Sequence, residues 1–270
     1  MPKARVLVRE HDVNLDDLPR SMEGLRVVHL SDLHFRRWDR TLKDAQNILY
    51  SLDYDLLVVT GDFCSLKRCW RHAAEMTREF FEPLVQRRPV YAVLGNHDVP
   101  DFAEMTALPI EWLRNQSRIL EFSGGAVELA GIEQCVPRGG DLSATLAGDR
   151  GGDVVVLLAH YPSTALRVPK GRVDLVLSGH THGGQIRPPF VGCLWPNDRI
   201  PRILAHGLHR LETTMLHVSS GLGVSFPIRI RINCPPEVAV LKLKTPVKPA
   251  RRMGLYRQTK EKMQSSSSIV

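Results

Sequence analysis

The chain has 270 residues, 43% apolar and 24% charged, which gives enough apolar surface for a sizeable core and excludes a disordered or fibrous protein. Its formal charge is +7, but residues 242–270 hold eight Lys and Arg against Glu261 alone, so the first 241 residues carry 28 basic and 28 acidic groups and are neutral. No apolar run approaches the roughly 18–20 residues of a membrane span, Met1–Asp17 has no signal-peptide core, and Cys64, Cys69, Cys135, Cys193 and Cys234 form no CxxC pair. These absences argue for a cytoplasmic setting and against a disulfide scaffold or structural zinc site.

In chain order, Val6–Val8 is an edge-strand candidate and Arg26–Leu30 a core strand, followed by a helix near Leu42–Leu52. Leu56–Thr60 and Val90–Leu94 read as further strands around a helix over Ala73–Val85, with helical turns in Asp101–Asn115. Ile119–Phe122 and Ala126–Ile132 flank Ser123-Gly124-Gly125 as a β-hairpin. Val154–Ala159 and Val173–Ser178 are two more strands, and Met215–Leu243 is β-rich. Unbroken Val and Leu runs suit strands buried on both faces, so the pattern predicts an α/β sandwich with mixed sheets. The expected domain spans 1–244. The Pro-, Lys- and Arg-rich segment 245–270 lacks the apolar surface to fold alone and is expected to be a disordered tail.

Five of the apolar runs end in a metal-capable side chain: Asp32 with His34, Asp62, Asn96 followed by His97 and Asp98, His160, and His180 with His182. A core strand cannot cheaply hold an unpaired Asp or His along its length, but at its carboxyl end the same residue can meet ligands from neighbouring strands. Two carboxylates, one amide and four imidazoles exceed what one divalent ion uses. They suit two ions if one carboxylate bridges, and the mixed N/O set favours Mn²⁺, Fe or Zn²⁺ over Mg²⁺ or Ca²⁺. Two ions about 3.5–4 Å apart can clamp a phosphoryl group.

The motifs D-x-H (Asp32, His34), G-D (Gly61, Asp62), G-N-H-D (Gly95 to Asp98), a lone His160 and G-H-x-H (Gly179 to His182) resemble those of the calcineurin-like metallophosphoesterases, in order, over about residues 25–185. The resemblance implies a four-layer α/β/β/α sandwich. It implies one metal on Asp32, His34, Asp62 and His182, and a second on Asp62, Asn96, His160 and His180. It makes His97 the catalytic histidine, with Asp98 orienting its ring. The run His180-Thr181-His182-Gly183-Gly184-Gln185 is similar to a bacterial subfamily of membrane-associated phosphoesterases. That subfamily includes UDP-2,3-diacylglucosamine pyrophosphohydrolases of lipid A synthesis, which makes a lipid-linked nucleotide the favoured substrate.

Arg36, Arg37, Arg40, Lys67 and Arg68 follow the first two ligand groups on loops. Such charges ordinarily form a solvated face, and beside a phosphoester site they become candidates for holding phosphate oxygens. Gly183 and Gly184 can let backbone approach the phosphate, make a tight turn after the last ligand, or do both. His29 and His72 read as structural, and His206, His209 and His217 lie outside the motifs. The apolar loop Pro188–Pro196 reads as packed loop or membrane-facing wall, and the tail as solvated or drawn to anionic lipid, which would place the protein on the inner face of the membrane. Nucleic acid is a poor partner for a tail with only Tyr256 to stack. The rival functions are a phosphodiesterase or phosphatase on a soluble substrate, and a non-catalytic metal-binding scaffold.

Overall fold

The computed structural model describes residues 6–105, 110–136, 140–225 and 229–246. Its strands are β1 (Leu7–Asn14), β2 (Arg26–Leu30), β3 (Leu56–Val59), β4 (Val90–Ala92), β5 (Ile110–Trp112), β6 (Gln116–Phe122), β7 (Gly125–Gly131), β8 (Val154–Leu158), β9 (Leu175–Ser178), β10 (Gly207–Leu211), β11 (Thr214–Val218) and β12 (Glu237–Lys244). The helices are α1 (Arg40–Ser51), α2 (Trp70–Val85), α3 (Asp101–Met105) and α4 (Leu142–Thr145). Two six-stranded sheets result, in the orders β1-β12-β2-β3-β4-β5 and β10-β11-β9-β8-β7-β6. Both are mixed. β2 to β5 run parallel while β12 is antiparallel to β2, and β7, β8, β9 and β11 run parallel between antiparallel β6 and β10.

Why the runs are apolar without alternation is visible in the packing. Val28, Leu30, Leu57 and Val59 face outward onto Leu42, Ala45 and Leu49 of α1 and Phe80 and Phe81 of α2. Their neighbours Val27, Leu56 and Val58 face inward and meet Val154, Val156 and Leu158 of the opposite sheet. Val155 and Leu157 turn to the far side, where Leu142, Leu146 and Ala165 cover them. Every position of these strands after Arg26 is therefore buried, and period-two polarity has nowhere to arise. The four layers are as expected, though the fourth is thin, built from α4 and short 3-10 turns at Pro162–Arg167 and Arg202–Leu204.

Two expectations are refined. Among the described residues of Asp101–Asn115, the helical turns are those of the five-residue α3, and β5, paired with β4, follows at the sheet edge. The β-rich C-terminal part begins earlier than Met215, because β10 and β11 form a hairpin over Gly207–Val218. β1 does lie at a sheet edge, on β12. No described helix is long and apolar enough to cross a membrane. Most of the predicted tail, residues 247–270, lies outside the described residues.

Candidate metal centre

The carboxyl ends of β2, β3 and β4 in one sheet, and of β8 and β9 in the other, open onto one edge of the sandwich. The ladders continue past the strands: Asp32 N donates to Gly61 O (3.0 Å), His34 N to Asp62 O (2.9 Å) and Gly179 N to His160 O (3.1 Å). These bonds hold a bent backbone. Asp32, His34, Asp62, His180 and His182 all sit at left-handed φ, between 45° and 65°. Such a residue costs on the order of 1–3 kcal/mol and persists only where its surroundings over-determine it, as at functional sites. Two glycines make the crowding possible. A Cβ on Gly179 would fall on Ser31 Oγ and Asp32 Oδ2, and one on Gly95 would lie 2.6 Å from Asp62 N and 2.9 Å from His160 Cε1.

The bends bring two donor sets together, Asp32 with His34 and His182, and Asp62 with His160 and His180, each with donor atoms within 4.8 Å of one another. All six side chains are buried. Asp62 Oδ2 lies 3.6 Å from His34 Nε2 and 3.3 Å from His160 Nε2, so this carboxylate faces both sets. Asn96 Oδ1 lies 3.0 Å from His160 Nε2. His182 Nε2 lies 3.1 Å from His34 Nε2 and 3.4 Å from Asp32 Oδ1. The opposite nitrogens are engaged by backbone: His34 Nδ1 with Cys64 O (3.0 Å), His160 Nδ1 with Thr60 O (2.7 Å) and His180 Nε2 with Asn197 O (2.8 Å). An N–H donated outward leaves a lone pair directed at the cluster, the arrangement that orients metal-binding imidazoles.

Electrostatics agree with this for three of the four imidazoles; His160 is instead raised to about 9, its burial outweighed by the adjoining Asp62 carboxylate. Burial pushes His34 and His180 down to about 4, and His182 well below the usual imidazole range, so all three are neutral donors at pH 7. Burial also disfavours charge on Asp62, but His160, His34 and His97 pull its carboxyl below the ordinary range and keep it ionised. Burial raises Asp32 to about 6 against the pull of His160.

His97 lies at the rim of the cluster. Its N–H donates to Asp62 Oδ1 (2.8 Å), its ring stands edge-on to His34 at 4.9 Å, and Nδ1 is 3.2 Å from Ser65 O. The expected role of Asp98 is corrected. Its carboxylate does not reach the His97 ring but turns inward to accept from Asp62 N (2.9 Å), Gly95 N (2.8 Å) and Cys64 N (2.9 Å). It ties the exits of β3 and β4 together, and the Ser65 carbonyl, not a carboxylate, holds the His97 ring. Gly183 and Gly184 make the tight turn that was one of their two readings, their N–H groups donating to Thr181 Oγ1 (3.2 Å) and Thr181 O (2.7 Å).

Of the basic candidates, Lys67 Nζ donates to Cys135 O (3.1 Å) and Arg40 pairs with Asp44 along α1 (3.6 Å), while Arg36, Arg37 and Arg68 are exposed. His29 and His72 stand outside both donor sets. His29 joins His217 across the two sheets (2.9 Å) and Thr60 Oγ1 (2.8 Å), and His72 meets Arg36 O (3.0 Å). His206 pairs with Glu237 (3.3 Å). Sequence reasoning missed the carbonyls of Thr60, Cys64, Ser65 and Asn197, which carry no side-chain signal. It also missed Arg231, whose Nη2 lies 3.5 Å from His182 Nδ1 while binding the carbonyls of Ser220 and Gly221.

Residues 25–184 match the sequence profile of the calcineurin-like phosphoesterases. The chain belongs to this family. Calcineurin-like relatives include an uncharacterized metallophosphoesterase, YkuE, of Bacillus subtilis, 28% identical over 87% of this chain and 85% of its own length. The phosphodiesterase YaeI of Escherichia coli is 29% identical over 81% and 82%. A bovine transmembrane protein with a metallophosphoesterase domain is 32% identical over 86% of this chain but only 56% of its own. A solved 5′-nucleotidase precursor from Thermus thermophilus superposes with TM-score 0.48 and 15% identity, covering 74% of this chain and 49% of that one. The family assignment rests on the sequence match, not on that superposition. The chain is a metallophosphoesterase, a hydrolase of phosphoester bonds, and its paired buried donor sets fit a dinuclear metal centre.

Proposed function

We propose that the protein hydrolyses a phosphodiester or pyrophosphate bond, with Asp32, His34, Asp62 and His182 holding one divalent ion and Asp62, Asn96, His160 and His180 the other. The observation that carries this is the position of Asp62 Oδ2 between His34 Nε2 and His160 Nε2, which lets one carboxylate serve both ions. Mn²⁺ fits the mixed oxygen and imidazole donors, with Fe or Zn²⁺ as substitutes. When bound, the ions supply Lewis acidity and activate water at neutral pH.

The chain's own residues do the rest. Asp62 stays anionic, and the outward backbone bonds keep the imidazoles aimed at the cluster. A water that has given up one proton to solvent attacks as hydroxide, its oxygen bonding to phosphorus as the P–O bond to the leaving group breaks. His97, anchored on Ser65 O, donates a proton or hydrogen bond to the departing oxygen. Arg36, Arg37 and Arg68 supply cations at the exposed rim, where Arg can grip phosphate oxygens.

For substrate, the reading is a lipid-linked nucleotide such as UDP-2,3-diacylglucosamine, met at the inner membrane surface. Exposed Phe190, Val191, Leu194 and Trp195 on the loop beside His180 support it, as does the excess of positive charge after residue 241. The test is hydrolysis of bis(p-nitrophenyl) phosphate with Mn²⁺, alongside a detergent-dispersed lipid nucleotide. Asp62→Ala is expected to lose both ions and turnover, and His97→Ala to keep both ions and lose about 100-fold or more in rate. Wild-type turnover by Asp62→Ala refutes the centre. Turnover of the soluble diester without any of the lipid nucleotide refutes the substrate.

A further inference from the structure

Behind His180 lies an open cleft of about 660 Å³ that no part of the hydrolytic chemistry uses. Tyr161, Ser163, Trp195, Asn197, Asp198 and Arg199 are among its walls. It adjoins the metal centre directly. The Tyr161 ring stands edge-on to His180 at 4.4 Å, and the Asn197 carbonyl accepts from His180 Nε2 at 2.8 Å.

The wall carrying Trp195 is built, not loose. Asn197 takes a left-handed φ of 53°, which aims its carbonyl at His180. One residue on, Asp198 Oδ2 accepts from Ser163 Oγ (2.9 Å) and Oδ1 from Ile200 N (2.7 Å). The segment is thus moored to the residues that follow β8 and β9. Yet Trp195 on this moored segment is 77% exposed. A large indole exposed to water beside the metal centre offers a flat stacking face.

We propose that this cleft is a base-binding subsite: it takes the nucleobase of a nucleotide-bearing diester, stacked on Trp195 and flanked by Tyr161. The inference rests on the phosphodiester reading above and adds the class of group recognised beside the scissile phosphate. A nucleotide places one ribose between phosphorus and base, and one ring, that of His180, stands between the metal cluster and the cleft wall. The exposed Asn197 amide offers both a donor and an acceptor to a base edge, and Arg199 a cation to a phosphate. An alkyl chain would use neither.

The test compares thymidine 5′-(p-nitrophenyl) phosphate, methyl p-nitrophenyl phosphate and octyl p-nitrophenyl phosphate on the Mn²⁺ enzyme and on Trp195→Ala, whose exposed position spares the fold. The expected result is a kcat/KM for the thymidine diester about tenfold or more above the methyl diester, the range a stacked base gives. Trp195→Ala removes that preference and leaves the methyl diester within about twofold. Turnover without a thymidine preference, a preference that survives Trp195→Ala, or an octyl diester favoured equally each overturns the subsite. If no diester is cleaved, the hydrolytic reading falls. The subsite is then decided by quenching of tryptophan fluorescence with thymidine 5′-monophosphate against ribose 5-phosphate. Quenching by the nucleotide alone, lost in Trp195→Ala, supports it, and equal or absent quenching overturns it.

Discussion

Asp98→Asn separates two roles for one carboxylate. In the folded chain Asp98 Oδ2 accepts from Asp62 N and Gly95 N while Oδ1 accepts from Cys64 N, all at 2.8–2.9 Å and all buried. An asparagine keeps one oxygen and presents an NH₂ where an acceptor stood, so at least one backbone N–H is left facing a donor. An unsatisfied buried donor costs about 1–3 kcal/mol, and weaker bonds to the two remaining N–H groups bring this to roughly 2–4 kcal/mol. For a domain of this size that is a fall in Tm of about 5–15 °C. Because the same carboxylate fixes Asp62, and fixes Cys64, whose carbonyl holds His34, metal content falls as well. Thermal scanning, metal analysis and a pH–rate profile read the outcome. The expected set is a lower Tm, fewer than two ions per chain and a profile of unchanged shape. Native Tm and two bound ions with a displaced limb of the profile would mean that the carboxylate acts on the His97 ring, and the reasoning here would be refuted.

Gly179→Ala places a Cβ onto Ser31 Oγ and Asp32 Oδ2, so overpacking of about 1–3 kcal/mol and weakened binding at the Asp32–His34–His182 set are expected by calorimetry with Mn²⁺. His29 is buried and held down to about 3 against 6.5 in the unfolded chain. The unfolded state therefore takes up the proton first. This stabilisation is full above pH 6.5 and is lost as pH falls toward 3, up to about 5 kcal/mol. Urea titrations across that window should show it, and His29→Gln should flatten the slope; an unchanged slope counts against the assignment. Deleting 245–270 should weaken sedimentation with anionic vesicles and leave kcat/KM on a soluble diester unchanged, and equal vesicle binding by both forms removes the tail from the membrane reading.

Much of the site was legible because its logic is periodic. A run of Leu and Val that stops at Asp62, His160 or His180 announces a strand that ends where polarity is useful. An α/β sandwich followed from the same runs, and its four-layer order from the family resemblance. What stayed hidden was directional. Nothing in Gly95-Asn96-His97-Asp98 says that the chain turns so that Asp98 points back under Asp62 while His97 points out. The helical turns read in Asp101–Asn115 are there in α3, but β5 at Ile110–Trp112 went unread, because its pairing with Val90–Ala92 is decided by the neighbouring strand. The carbonyl anchors of Thr60, Cys64 and Asn197 depend on backbone position alone, which any residue type would serve.

The division of the donors between the sheets has a consequence for assembly. Asp32, His34, Asp62 and Asn96 issue from one sheet, and His160, His180 and His182 from the other. Each set is half a site until the two sheets have met in their final alignment. A sandwich docked one strand out of place would present the same residues and capture nothing. Tight ion uptake during refolding should therefore coincide with the last packing step, not with strand formation, and would mark which molecules have closed correctly.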